Sequence, residues 1–152
     1  MIPPMQYSKS GFALTERFEK CALTAYWDAL GKVWTIGWGH IRGVTQGLTC
    51  SQAQADQWLA EDMACCEADV NANVTVPLNQ DQFDALCDFS FNLGCSALNS
   101  STLLKELNAG DFQGAAQEFQ KWDHAGGAVV AGLLTRRLAE AQEFDESQGE
   151  PV

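Results

Sequence analysis

Phe18–His40 reads FEKCALTAYWDALGKVWTIGWGH, and the parsing of this stretch decides the rest of the chain. Thr24–Trp27 and Lys32–Ile36 are rich in threonine, aromatic and β-branched residues, and Asp28–Gly31 between them has turn composition. This predicts a small antiparallel hairpin. Helical patterning lies on both sides, so the hairpin is a β lobe inserted into a mostly helical chain. Glu19 closes the preceding helix, and Asp28 follows nine residues later in the hairpin, a spacing that lets two carboxylates face each other across a cleft edge. Glycoside hydrolysis needs such a pair, one carboxyl protonated to donate to the leaving oxygen and one ionised to activate water or attack. With 20 Asp and Glu in the chain, spacing alone leaves solvated surface carboxylates as the commoner explanation.

Working toward the N-terminus, Met1–Tyr7 carries prolines and reads as an irregular lead-in. Ser8 or Ser10 can cap a first helix whose apolar edge is Leu14 and Phe18, with Gly11 weakening its start. C-terminal to the hairpin, Gly37 and Gly39 end the strand and Arg42–Leu48 is loop. Thr49 is the expected N-cap of a long helix over about 51–70, with Trp58, Leu59, Met63 and Val70 on its apolar stripe. Asn79 starts an apolar helix through Phe83, Leu86, Cys87, Phe89 and Phe91, and helices follow near Ser101 and after Asp111. His124–Gly132 is a glycine-rich loop, Leu133–Phe144 the last helix, and the acidic end a disordered tail.

The 152 residues fit one domain. A net charge of −11 from 9 Lys and Arg against 20 Asp and Glu argues against nucleic-acid binding, which depends on clustered basic residues. No stretch has the length and apolarity of a membrane span, and the N-terminal residues lack the apolar core of a signal peptide. The six cysteines show no Cys-x-x-Cys spacing, so no metal site is expected, and both disulfides and buried free thiols stay open.

Glu19, Tyr26, Asp28, Gly31 and the run TIGWGH, Thr35–His40, together resemble the signature of glycoside hydrolase family 24, the phage-type lysozymes or bacteriophage endolysins. The resemblance continues through PLNQDQFDALCDFSFNLG (Pro77–Gly94), STLLKELNAGDFQGAAQEF (Ser101–Phe119) and Ala125–Glu140, in the family's order. It implies an α+β, mostly helical, lysozyme-like fold. A small antiparallel β lobe, about 22–48, would be joined by a long helix, about 50–71, to a helical lobe, about 8–21 and 72–144, within a single domain 1–152 ending in a tail at 145–152.

The resemblance also implies roles. Glu19 would be the general acid, Asp28 would activate the attacking water and Thr35 would be that water's second ligand, with inversion at the anomeric carbon. DALGKVWT places six residues between Asp28 and Thr35 where the family has five, and a bulge would absorb the extra one. Glu16, one turn before Glu19, lacks the spacing to Asp28. His40 would brace the β lobe against Asp62 on the long helix, and Arg136 would reach Glu19 from the last helix. Phe91, Ser101 and Thr102 sit where the family contacts sugar and Ile41 follows the glycine turn at the cleft lip, all four candidates for substrate contact, and each is equally readable as core or helix cap. Of Trp34 and Trp38, strand alternation makes at least one a core residue.

The substrate implied is bacterial peptidoglycan, cut at the β-1,4 bond from N-acetylmuramic acid to N-acetylglucosamine by a monomer without a cofactor. Such an enzyme would accumulate in the host cytoplasm and need a holin-like pore to reach the periplasm. The competing activities are lytic transglycosylation, which needs one acid and no Asp partner, and wall binding without catalysis, which the acidic charge favours.

Overall fold

The computed structural model of the chain describes residues 4–125, 128–129 and 131–149. Helix α1 (Lys9–Glu19) leads into a hairpin of β1 (Ala22–Asp28) and β2 (Val33–Gly37), and α2 (Gln52–Asn73) then runs to the helical remainder. That remainder comprises α3 (Gln80–Leu93), α4 (Cys95–Asn99), α5 (Thr102–Asn108), α6 (Phe112–Glu118), a short hairpin of β3 (His124–Ala125) and β4 (Ala128–Val129), and α7 (Ala131–Gly149). The architecture is mostly helical with a small antiparallel sheet.

Local chemistry sets the helix starts. The Ser8 hydroxyl accepts from Gly11 N, and Asn79 and Gln82 form a reciprocal capping box at α3. Asp111 caps α6 by accepting from Gly114 N at 2.8 Å. The cap of α2 is Ser51 rather than the expected Thr49. Thr49 bridges Thr24, Ala25 N donates to Leu48 O at 2.8 Å and Cys50 N to Leu23 O at 2.9 Å, so 48–50 is extended as a third segment along β1. Those pairings spend the backbone groups a helix would have needed.

Helix α2 has 22 residues and spans about 33 Å, crossing from the β lobe to the base of the helical lobe. Its buried stripe is Ala55, Leu59, Met63, Cys66 and Val70. Trp58, expected on that stripe, is half-buried and stacks on His40 at 4.5 Å. Helix α3 is the hub: every residue from Gln82 to Ser90 is buried, with α1, α2 and α7 packed around it. Phe89 meets Phe119 and Trp122 edge-on at 5.7 and 5.6 Å. Phe89 and Phe119, both fully buried, each contribute about 2–3 kcal/mol by burial.

Three further details of the sequence-based picture change. Gly11 is required rather than tolerated, because a Cβ there would stand 2.7 Å from Tyr7 and 2.9 Å from Asp84. The glycine-rich segment carries the β3–β4 hairpin, with Gly126, Gly127 and Val130 outside the described residues. Helix α7 runs five residues past Phe144, whose ring is fully buried and anchors that end, so the expected tail begins as helix.

Candidate active site

Glu19 is the last residue of α1 and Asp28 the last of β1, and both line one cavity of about 310 Å³. Phe18, Tyr26, Leu30, Asn92, Gly132, Leu133 and Arg136 complete its wall. Helix end, hairpin, α3 and α7 therefore converge on the two carboxylates. The sharp exit from α1 is made by Lys20, whose φ of 56° and ψ of 144° are a glycine-like conformation.

The hairpin register is Tyr26 opposite Thr35, Trp27 opposite Trp34 and Asp28 opposite Val33. Side chains alternate across a strand, so Tyr26, Asp28 and Thr35 share one face. The extra residue is taken up in the turn, Ala29–Lys32, where Lys32 has φ 54°. The irregularity in the ladder lies instead on β1, between Ala22 and Tyr26. Thr35 is 3% exposed, its hydroxyl donates to Val33 O at 3.4 Å, and it is not among the residues that line the cavity. Asp28 accepts from Leu30 N at 3.1 Å, which holds its carboxylate over the turn.

Glu19 is held on two sides. Arg136 Nη1 donates to its Oε2 at 2.6 Å, and the backbone of Gly39, at φ +89°, passes close to its Oε1. The Arg136 fork is itself fixed, with Nε and Nη2 donating to Asp88 at 2.9 and 2.8 Å. Thr15 adds a hydroxyl donor to Asp88 at 2.7 Å and shares a 2.7 Å hydrogen bond with Tyr7. Burial alone would raise the Asp88 carboxyl, but its hydrogen bond with Glu140 and the Arg136 guanidinium bring it down to about 2. Burial opposes the charge on Arg136, and Asp88 and Glu19 more than offset it, raising the guanidinium above its ordinary value.

Sequence reasoning did not find Asp88, Thr15 or Tyr7. The available signal was an Asp in the middle of the apolar run ALCDFSF, since a charge there must be paired.

His40 Nδ1 lies 2.7 Å from Asp62 Oδ2 and its ring stacks on Trp58 within 3° of parallel, so the β lobe is pinned to α2. Trp38 adds a second pin through Nε1 to Asp56 at 2.8 Å. Neither Trp34 nor Trp38 is a core residue; both are half-buried, Trp34 against Trp27, and Ile36 is the fully buried residue of β2.

Ile41 and Phe91 line a second cavity, of about 510 Å³, with Gly39, Arg42, Asp62 and Cys66 among its other walls. Ser101 and Thr102 line neither cavity. The Ser101 hydroxyl caps α5, accepting from Leu104 N at 3.0 Å and donating to Leu98 O at 2.6 Å. All six cysteines are free thiols, Cys66 and Cys87 buried and Cys65 exposed. Glu16, half-buried, is absent from the wall that Glu19 and Asp28 share.

Comparison with known proteins agrees with this fold. The sequence profile described as phage lysozyme matches residues 16–140. The endolysin of Acyrthosiphon pisum secondary endosymbiont phage 1 is 41% identical over 147 residues, covering 94% of this chain and all of that one. The chain spans 54% of the endolysin of Bacillus phage B103, at 41% identity. Among solved structures, the endolysin from Escherichia coli O157:H7 phage FAHEc1 superposes with a TM-score of 0.88 at 35% identity, over 97% of this chain and 98% of that one. The profile match over residues 16–140 and the identity to a phage endolysin along its whole length place the chain in the phage lysozyme family.

Proposed function

We propose that the chain is an endolysin that hydrolyses bacterial peptidoglycan between N-acetylmuramic acid and N-acetylglucosamine, with inversion. The observation that carries this reading is that Glu19 and Asp28 face one cavity from opposite elements. Glu19 protonates the glycosidic oxygen, while Asp28 takes a proton from the water that attacks the opposite face of the sugar. Thr35, on the Asp28 face of the sheet, is the second ligand of that water. The leaving oxygen needs a proton, and Glu19 is the carboxyl that supplies it. Tyr26 and Leu30, both exposed at the cavity, offer apolar surface to a sugar ring. Ile41 and Phe91 extend this surface into the second cavity.

No helix among the described residues is long and apolar enough to cross a membrane. We place the enzyme in the host cytoplasm as a monomer, reaching the periplasm through a holin-like pore. The chain then forms one catalytic unit, with the β lobe and helical lobe as the two sides of the cleft.

Glu19→Gln tests the assignment, because it keeps the shape of the side chain and removes the acid. The variant should stay folded and lose clearing of chloroform-treated Gram-negative cells; retained activity rejects Glu19 as the acid. NMR of the first-formed anomer distinguishes inversion from retention, and a 1,6-anhydro end by mass spectrometry would mark a transglycosylase. The net charge of −11 favours a second reading, wall binding without hydrolysis. Binding to sacculi with no release of reducing ends would select it.

A further inference from the structure

Behind Glu19, the guanidiniums of Arg136 and Arg137 meet three carboxyls, those of Glu19, Asp88 and Glu140. Asp88, Arg137 and Glu140 are each 0% exposed and Arg136 is 4% exposed. The four buried groups are two guanidiniums and two carboxyls, but Arg136 is shared with Glu19 at the cavity wall, where that side chain is 17% exposed, and two ionised carboxylates in contact away from water repel each other. The Asp88 and Glu140 carboxyls are also hydrogen-bonded to each other, and two carboxyl groups can share a hydrogen bond when one of them carries a proton.

The donors around Asp88 decide which one. It accepts from Arg136 Nε, Arg136 Nη2 and Thr15 Oγ1, which with Glu140 fills about four lone-pair sites. A hydrogen on Asp88 would displace one of those donors. Glu140 accepts from Arg137 at 2.6 and 2.7 Å, and an O–H oxygen still has room to accept.

We propose that Glu140 is a positioning residue that holds a proton at neutral pH and donates it to Asp88, keeping the bidentate grip of Asp88 on Arg136 and so leaving Arg136 Nη1 for Glu19. This rests on Glu19 being the acid. Burial, and then the Asp88 carboxylate beside it, push the Glu140 carboxyl well above its ordinary range, in the same direction. The charged and titratable groups that bear on it are Asp88 from α3, Arg136 and Arg137 from its own helix, Glu19 of α1 through Arg136, and Tyr7 through Thr15 and Asp88.

Three measurements test it. In wild-type protein carrying 13C-labelled glutamate side chains, the Glu140 carboxyl, assigned by its loss in Glu140→Gln, should resonate as a neutral acid at pH 7; an ionised resonance overturns the proposal. The second is the Tm difference between Glu140→Gln and wild type from pH 5 to pH 8. Folded wild type keeps a proton that the unfolded chain releases above about 4.5, so the difference should move in favour of the variant as pH rises. Movement against the variant, or no movement, overturns it. The third is kcat for wall hydrolysis. Glu140→Ala should lower kcat at least tenfold with little change in KM, and Glu140→Gln, which can still donate to Asp88, should stay within about threefold of wild type. Equal losses overturn the positioning role. If Glu19→Gln proves active, the functional assignment fails while the resonance and Tm results stand.

Discussion

A Cβ built on Gly39 would lie 2.6 Å from Glu19 Oε1, so the glycine in the hairpin's exit and the carboxylate at the end of α1 need each other's shape. The backbone there is at φ +89°, which a side chain adopts only with strain. Gly39→Ala therefore has two effects. We expect a stability loss of about 1–2 kcal/mol from the left-handed backbone, and at least a tenfold fall in wall hydrolysis because the Glu19 carboxyl must move. Thermal unfolding and reducing-end release measure them separately. Normal activity in a folded Gly39→Ala protein would show that the contact does not orient Glu19.

Arg136 reaches Glu19, 117 positions away in sequence, donating to it at 2.6 Å while gripping Asp88. Removing it strands Asp88, which has no exposed surface. Arg136→Ala should cost about 3–5 kcal/mol, whereas Lys105→Ala, at an exposed site, should stay within about 0.5 kcal/mol. Urea unfolding of both variants decides it, and equal mild effects reject the pairing as a structural tie.

Asp88 gives the protein an acid limb. Its carboxyl is held at about 2, against an ordinary 3.8, so the folded state binds its proton later than the unfolded chain does. The stabilisation is present above pH 4 and is lost as pH falls through about 2, amounting to about 2 kcal/mol. Unfolding free energy measured between pH 5 and pH 2 should fall less steeply in Asp88→Asn than in wild type. Parallel slopes would assign the acid limb to other carboxyls.

The His40–Asp62 contact at 2.7 Å is partly shielded, with side-chain exposures of 9% and 21%. A double-mutant cycle on His40→Ala and Asp62→Ala should give a coupling of about 1 kcal/mol. Additive losses would leave the Trp58 stack as the brace of the β lobe.

Lys20 holds φ 56° and ψ 144° next to Glu19. That region costs a non-glycine residue about 1–3 kcal/mol, so Lys20→Gly should raise the urea midpoint. An unchanged or lower midpoint rejects the strain.

The chain announces its local decisions. Ser8, Asn79 and Asp111 are caps readable from their own neighbours, because a cap bonds to a backbone amide two or three residues away. The hairpin of Phe18–His40 is equally local, since β-branched and aromatic runs around a turn need no distant partner to be recognised. Thr49 misled for a reason of the same kind: it is a good cap in isolation, and its pairing with Thr24 is visible once the strand is laid beside it.

What tertiary structure alone decided is how buried charge is neutralised. Composition shows 20 acidic and 9 basic residues, without saying that Asp88 and Glu140 lie inside while most of the others stay in water. Resemblance directed Arg136 to Glu19, yet the guanidinium's second partner on α3, and the further carboxyl behind it, follow from packing α7 along α3. The same holds for Gly39, whose glycine is legible as a turn residue but whose contact with Glu19 exists only once hairpin and helix end meet. Local hydrogen bonding is written within a few residues, whereas desolvation of a charge depends on everything that excludes water around it.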